Sequence, residues 1–317
     1  MHCRRFGILR PAEFLRLIRD IVRRKRCSER LPPTAHLFGF SSTQFATLNA
    51  CVFLFQTAVV FGSNARLFGG RTNKEISEQH KSLATPAGWA FAIWGIIYTG
   101  ELVAVVYMCT APSSDVVAAA SPAWLVGNAL QAAWAIAFAR EQISLAAVLL
   151  TGIAIAMVQC ERALVGGEPL EQLAALATWP IGLHAGWVCA AAVVSWNVAA
   201  VARKAPFSVQ ISLAFASLYV ALALALALLG TSLGANFPPT ATLAISWALY
   251  AIGQEVKRSG DARVIEPLRQ ALYHTSTAAA ALVAVSTAFA LLANGASNQG
   301  PGVATTGLAS EVCPARV

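Results

Sequence analysis

Charged side chains are scarce in this chain: they make up 12% of 317 residues, against 57% hydrophobic. A soluble domain carries about a quarter charged residues, so this composition excludes an ordinary water-facing surface. What charge exists is clustered. Residues 1–30 hold ten Lys/Arg and three Asp/Glu, a net +7, while the other 287 hold 13 and 12. The overall +8 belongs to one short segment, and the nearly neutral remainder gives no sign of a nucleic-acid partner. Paired cysteines are also missing. Cys3, Cys27, Cys51, Cys109, Cys160, Cys189 and Cys313 form no CxxC, which argues against a disulfide framework or a zinc site and for small buried hydrophobes. Catalytic signatures are missing too: no Walker, Rossmann, HExxH or nucleophile-elbow motif occurs, and no Ser/His/Asp or paired-carboxylate set can be assembled. The expectation is a protein that is not an enzyme.

What is present is long apolar runs. Eight are long enough, or nearly so, to cross a hydrocarbon core of ~30 Å. They cover about 43–63, 86–109, 118–139, 142–160, 177–202, 208–231, 239–256 and 274–294, here runs A to H. The expected fold is all-α: a polytopic transmembrane helical bundle of about eight spans, with the lipid bilayer as its first partner. Run D is short and run G weak, so seven spans is the alternative. Residues 1–40 are a basic N-terminal segment outside this bundle, and 295–317 form a Gly/Ser/Thr-rich tail expected to be disordered.

Phe14, Leu17, Ile18 and Ile21 fall on one helical face, with Arg16, Arg19, Arg23 and Arg24 toward the other. This is the pattern of an organelle transit peptide. A mature basic helix on an anionic membrane surface would look the same. The Lys/Arg of the A–B, C–D, E–F and G–H loops number 11, against 2 on the other side, so the first set faces the cytoplasm, stroma or matrix. The ten basic residues before run A oppose that orientation, and cleavage removes the conflict. A plastid or mitochondrial membrane follows from a transit peptide, the plasma membrane from its absence.

Run B opens with TPAGWAFAIWGIIY, Thr85 to Tyr98. On a helix Phe91, Trp94 and Tyr98 share a face, either as the wall of a pocket for a flat apolar ligand or as packing. Gly88, Ala92, Gly95 and Thr99 make a small-residue ridge on the same run, suited to tight helix packing and to a homodimer contact. Glu101, one turn past Tyr98, is the one acid well inside a run. An acid in lipid costs ~3 kcal/mol and is usually functional, so it is expected to be protonated or bonded to a polar neighbour such as Asn128 or Gln131. Alternatively it makes a purely structural bond. His184 is the one histidine inside a run; it is a satisfied packing residue or an axial ligand to a metalloporphyrin. Gly182 and Gly186 beside it allow close approach of another helix. Trp89, Trp124 and Trp179 sit near run ends and are expected at the membrane interface. Trp94, Trp134, Trp187 and Trp196 lie deeper, where each indole N–H needs a partner.

The pattern Pro86, Trp89, Phe91, Trp94, Tyr98 resembles the second helix of the TspO/MBR family, the tryptophan-rich sensory proteins related to the translocator protein. Gln131 and Trp134 resemble the amide-x-x-Trp signature of that family's third helix. Trp179 to Asn197 resembles the fifth, with Ser195 at the usual distance after Trp187. Runs F to H have no counterpart in the five-helix members and look like the longer, eight-helix relatives, with Trp247 to Tyr250 as their late aromatic stretch. The departures are a shorter Phe91–Trp94 spacing and Gln131 in place of asparagine. The resemblance implies a five-helix core over 43–202, with additional transmembrane helices over 208–294. It also implies a pocket under the long A–B loop for a tetrapyrrole or sterol, with porphyrin or haem as ligand and no firm cofactor. The ligand-binding set expected on these grounds is Trp89, Phe91, Trp94, Tyr98, Glu101, Gln131, Trp134, His184, Trp187 and Ser195. A role in sensing, carriage or regulation follows. The alternatives are a proton-coupled secondary transporter using Glu101, and a scaffold or assembly factor for a membrane complex.

Overall fold

Away from water a backbone must satisfy its own N–H and C=O groups, and runs rich in Ala and Leu do so as α-helices. The computed structural model describes residues 41–110, 115–165, 172–232 and 239–298. Among them there is no strand, and each of the eight runs is a helix. Run A is α1 (Ser42–Asn64), followed by the short α2 (Asn73–Gln79). Run B is a 3-10 turn, Gly88–Ala92, leading into α3 (Ile93–Thr110). Runs C to H are α4 (Asp115–Ala139), α5 (Ile143–Val165), α6 (Gln172–Ala202), α7 (Phe207–Ser232), α8 (Thr240–Arg258) and α9 (Glu266–Asn298).

The long helices α1, α3, α6, α5 and α4 pack each on the next and close a ring, with α4 returning to α1. α8 lies against α6 and the 3-10 turn, and α7 and α9 pack on α8 and on each other. α6 thus serves both groups. Gly182 and Gly186 are where α8 reaches it, as their spacing predicts: a Cβ on Gly186 would fall on the carbonyl oxygen of Ala241 and lie 2.7 Å from its Cα.

Six helices are long and apolar enough to cross a bilayer: α1, the 3-10/α3 pair, α5, α6, α7 and α9. Run D is not the short one, since α5 continues through Val165. α4 carries Ser121, Asn128 and Gln131, and all three are buried. α8 is enclosed by its neighbours: 11 of its residues are buried, including Thr240 and Thr242. A helix wrapped by protein does not need the hydropathy of one facing lipid. α9 extends to Asn298, past the expected start of the tail at 295. The transit-peptide segment and the rest of the tail lie outside the described residues. Cys160 and Cys189 are buried, whereas Cys51 and Cys109 are exposed free thiols.

Candidate functional site

Trp94, Tyr98 and Glu101 stand at i, i+4 and i+7 of α3 and share one face. α6 supplies His184 and Trp187 opposite them, and α4 supplies Asn128 and Gln131 at i, i+3. Two contacts define the interior of the ring. Gln131 donates its Nε2 to the Tyr98 hydroxyl at 2.9 Å, reaching from α4 to α3 past the intervening α1. Glu101 Oε1 and His184 Nδ1 lie 2.6 Å apart, and both side chains are completely buried. The expected partner of Glu101 was an α4 amide; its partner is His184 on α6. A histidine comes nearer than the amides because α3 packs directly on α6.

Rings lead to this pair from the charged-loop end. Phe91 meets Trp187 edge-on at 5.6 Å, Trp187 meets Trp94 at 6.4 Å, and Trp94 stacks on Tyr98 at 5.3 Å. Trp94 also touches the His184 ring edge-on at 5.3 Å. Across the ring Tyr98 meets Phe53 of α1 at 6.5 Å, and Phe53 stacks on Trp124 of α4 at 6.1 Å.

The polar atoms here are only half satisfied. Glu101 Oε2, His184 Nε2, Asn128 Oδ1 and Gln131 Oε1 are buried without a protein partner, as are Asn49 Oδ1 and Gln56 Oε1 on α1. The Asn128 amide is fixed in orientation by its Nδ2 donating to the Trp124 carbonyl at 2.9 Å. An unmet buried polar group costs ~1–3 kcal/mol, so a cluster of them marks a place where something else is bound. No Lys or Arg is among the buried side chains of the described residues.

Three of the ten expected residues lie elsewhere. Trp89 turns away to α8, edge-on to Trp247 at 4.7 Å. The cause is the lead-in turn: Ala87 N–H donates to Ala251 O at 3.1 Å, and Trp247 Nε1 donates to Ala90 O at 3.1 Å. The turn is therefore 3-10 at Phe91, which is 42% exposed, and the single α-helical face expected from Phe91 to Tyr98 starts at Trp94. Trp134 packs with Phe138, stacked at 5.4 Å, in a cluster with Val59 and Val60 of α1. Ser195 bonds its own backbone, at Ala192 O.

One tryptophan, Trp124, breaks the interface expectation. Trp124 lies near the start of α4 yet is completely buried, donating to Asn49 O at 3.2 Å, because α1 covers it. Trp196 is 43% exposed and donates to Thr151 Oγ1 beside a 510 Å³ apolar groove between α5, α6 and α7. The small-residue ridge faces outward: a Cβ on Gly88 or Gly95 would meet nothing within 4 Å.

The α1–α3 loop is fastened to the charged-loop end. Ile76 of α2 is completely buried among Ile143, Ala147, Val198 and Ala199. Thr72 and Glu75 form a capping box, Arg66 pairs with Glu75 at 2.6 Å, and Arg71 pairs with Glu141 at 2.9 Å. The Thr72 backbone N–H, then the Thr72 hydroxyl and the Arg66 and Arg71 guanidiniums, hold the Glu75 carboxyl below its usual value. Lys81 pairs with Glu255 of α8 beside a 180 Å³ cleft that also takes in Gln210 and Asp261.

Sequence reasoning missed Asn49, Phe53, Gln56 and Glu161. Asn49 and Gln56 were findable, as two amides at i, i+7 on one face of run A. Glu161 was not, because run D ends at Cys160 by hydropathy. α5 continues, and the Glu161 carboxylate is buried against Gly182, with Oε1 3.0 Å from where a Cβ would stand. The described residues hold no cluster of metal-ligating side chains.

The chain matches the family described as TSPO-like protein over residues 46–289. The match runs from α1 into α9, past the five-helix ring. Searches of curated proteins and of solved structures each gave no match to the chain.

Proposed function

This chain belongs to the TSPO-like family, and on that footing we propose that it binds a flat hydrophobic ligand inside the five-helix ring, for sensing, carriage or regulation rather than turnover. It is an integral membrane protein, with six helices fit to cross a bilayer. The observation that carries the reading is the ladder Phe91–Trp187–Trp94–Tyr98 ending on a Glu101–His184 pair whose outer atoms have no protein partner. Pockets for small molecules are apolar with a few converging polar groups, and a ligand would meet rings along its body and Glu101 Oε2 and His184 Nε2 at its end. The tetrapyrrole or sterol class comes from the family resemblance. Trp89, Trp134 and Ser195 are left out of the proposed site.

The test is a titration of the full-length protein with protoporphyrin IX and with haem, following tryptophan quenching and the Soret band. Saturable binding is expected, weakened about tenfold by Trp94→Ala, a deletion of one large contact of ~1.4 kcal/mol or more. Trp134→Ala should leave it unchanged. Equal losses from both variants, or no saturable binding, would return the rings to packing. A second reading, a proton-coupled transporter, is favoured by the same Glu101–His184 pair, since intramembrane carboxylate–histidine pairs mark proton relays. Proton flux into proteoliposomes that vanishes in Glu101→Gln would establish it.

A further inference from the structure

We infer that the polar end of the ligand is a protonated amine: the ring interior is built to receive a hydrophobic ammonium group. This rests on the reading that the interior binds a ligand, and it concerns which chemistry that ligand carries. The unpartnered side-chain oxygens there are acceptors: Glu101 Oε2, Asn128 Oδ1 and Gln131 Oε1. Each belongs to a side chain at most 2% exposed. Asn128 cannot turn to offer its N–H groups without giving up its bond to Trp124 O. The acid of the cluster is Glu101, and no Lys or Arg is buried among the described residues.

A ligand carboxylate brought to this end would face the Glu101 carboxyl and the Asn128 and Gln131 amide oxygens, acceptors that offer it nothing. A neutral apolar end would leave the acceptors unmet. An ammonium N–H supplies what is missing. It donates to Glu101 Oε2 as a charge-assisted bond. It also sits beside the stacked rings of Trp94 and Tyr98, whose faces attract a cation.

The experiment uses three probes of one shape: dimethyl(naphthylmethyl)amine, its neutral isostere isobutylnaphthalene, and naphthylacetate. Each is titrated at neutral pH into the full-length protein in nanodiscs, with empty nanodiscs subtracted. The amine is expected to bind at least roughly tenfold tighter than the isostere, with the anion weakest. Glu101→Gln should bring the amine down to the isostere while leaving the isostere unchanged. Asn128→Leu, which removes an acceptor without touching the Glu101–His184 pair, should cost the amine roughly threefold and keeps the test open if Glu101→Gln does not fold. An isostere or anion that binds as tightly as the amine overturns the inference, as does an amine preference indifferent to both variants. If all three fail to bind while protoporphyrin IX saturates, the inference falls and the proposed function stands. If nothing saturates, both fall.

Discussion

The interior of the five-helix ring and the contact between α8 and the lead-in turn of α3 are both rich in tryptophan, and they treat their polar atoms in opposite ways. At α8 the accounts close. Trp247 Nε1 finds Ala90 O, Ala87 N–H finds Ala251 O, and Lys81 finds Glu255. Inside the ring they do not: Tyr98 and Glu101 have partners, yet Glu101 Oε2, His184 Nε2 and two α4 amide oxygens have none. Packing that exists only to hold helices together has no reason to strand acceptors, since each stranded group weakens the fold. The contrast assigns structure to the α8 contact and binding to the ring, although both would read as "aromatic-rich" from composition alone.

The sharpest way to break the structural half is Gly186→Val. Its side chain would occupy the place of the Ala241 backbone, and backbone cannot swing aside as a side chain can. We expect α8 to separate from α6 at a cost of at least ~3 kcal/mol, seen as aggregation in detergent or a collapse of Tm. A variant that melts like the parent would mean that α6 and α8 are not in contact in the membrane.

The ring half is broken next by His184→Leu. It removes one member of a completely buried pair and leaves Glu101 alone, at a cost of ~3–5 kcal/mol. The double variant Glu101→Leu/His184→Leu should recover most of that, because two apolar groups of similar volume leave no stranded charge. If the double variant loses as much as the two single changes together, the pair is not coupled and the 2.6 Å contact has no energetic content. Trp247→Phe is a milder probe of the other region. It keeps a ring against Trp89 and deletes only the bond to Ala90 O, for ~1 kcal/mol. Thermal stability should fall by that amount while ligand affinity holds, and a larger loss of affinity than of stability would tie α8 to the binding site.

Most of the helix plan was legible in the sequence, for a simple reason. An apolar run has few alternatives in lipid, and all eight runs became helices. Span count was less legible because hydropathy averages over both faces of a helix. It cannot tell that the polar side of α4 looks inward. Within the site, Trp94, Tyr98 and Glu101 could be placed together because helical spacing fixes them on one face. Trp89 could not, because what turns it away is Trp247, far along the chain on a helix the five-helix pattern does not include. Partner choice was the other gap. Spacing shows which side chains share a helix face, but not that α3 abuts α6 with α4 across the ring, and that arrangement gives Glu101 a histidine.

The smallest effect concerns the loop that joins the two regions. The Glu75 carboxyl accepts the Thr72 backbone N–H at 2.7 Å and sits beside Arg66 and Arg71, so its folded pKa lies below its ordinary 4.5. The sign follows from that direction. Above the unfolded value the carboxylate is ionised in both states and the cap contributes in full; as pH falls through the lower folded value the proton enters and the contribution is lost. The protection of α2 amides against hydrogen exchange, taken relative to their intrinsic rates, should therefore hold down to a pH of about the ordinary carboxylate value and fall below it, with Ile76 holding the segment in place throughout. Glu75→Gln, which keeps the shape of the cap without the charge, should exchange faster at neutral pH and show no such step. A ligand affinity that follows the α2 transition would show that the loop, and not the helices alone, holds the site shut.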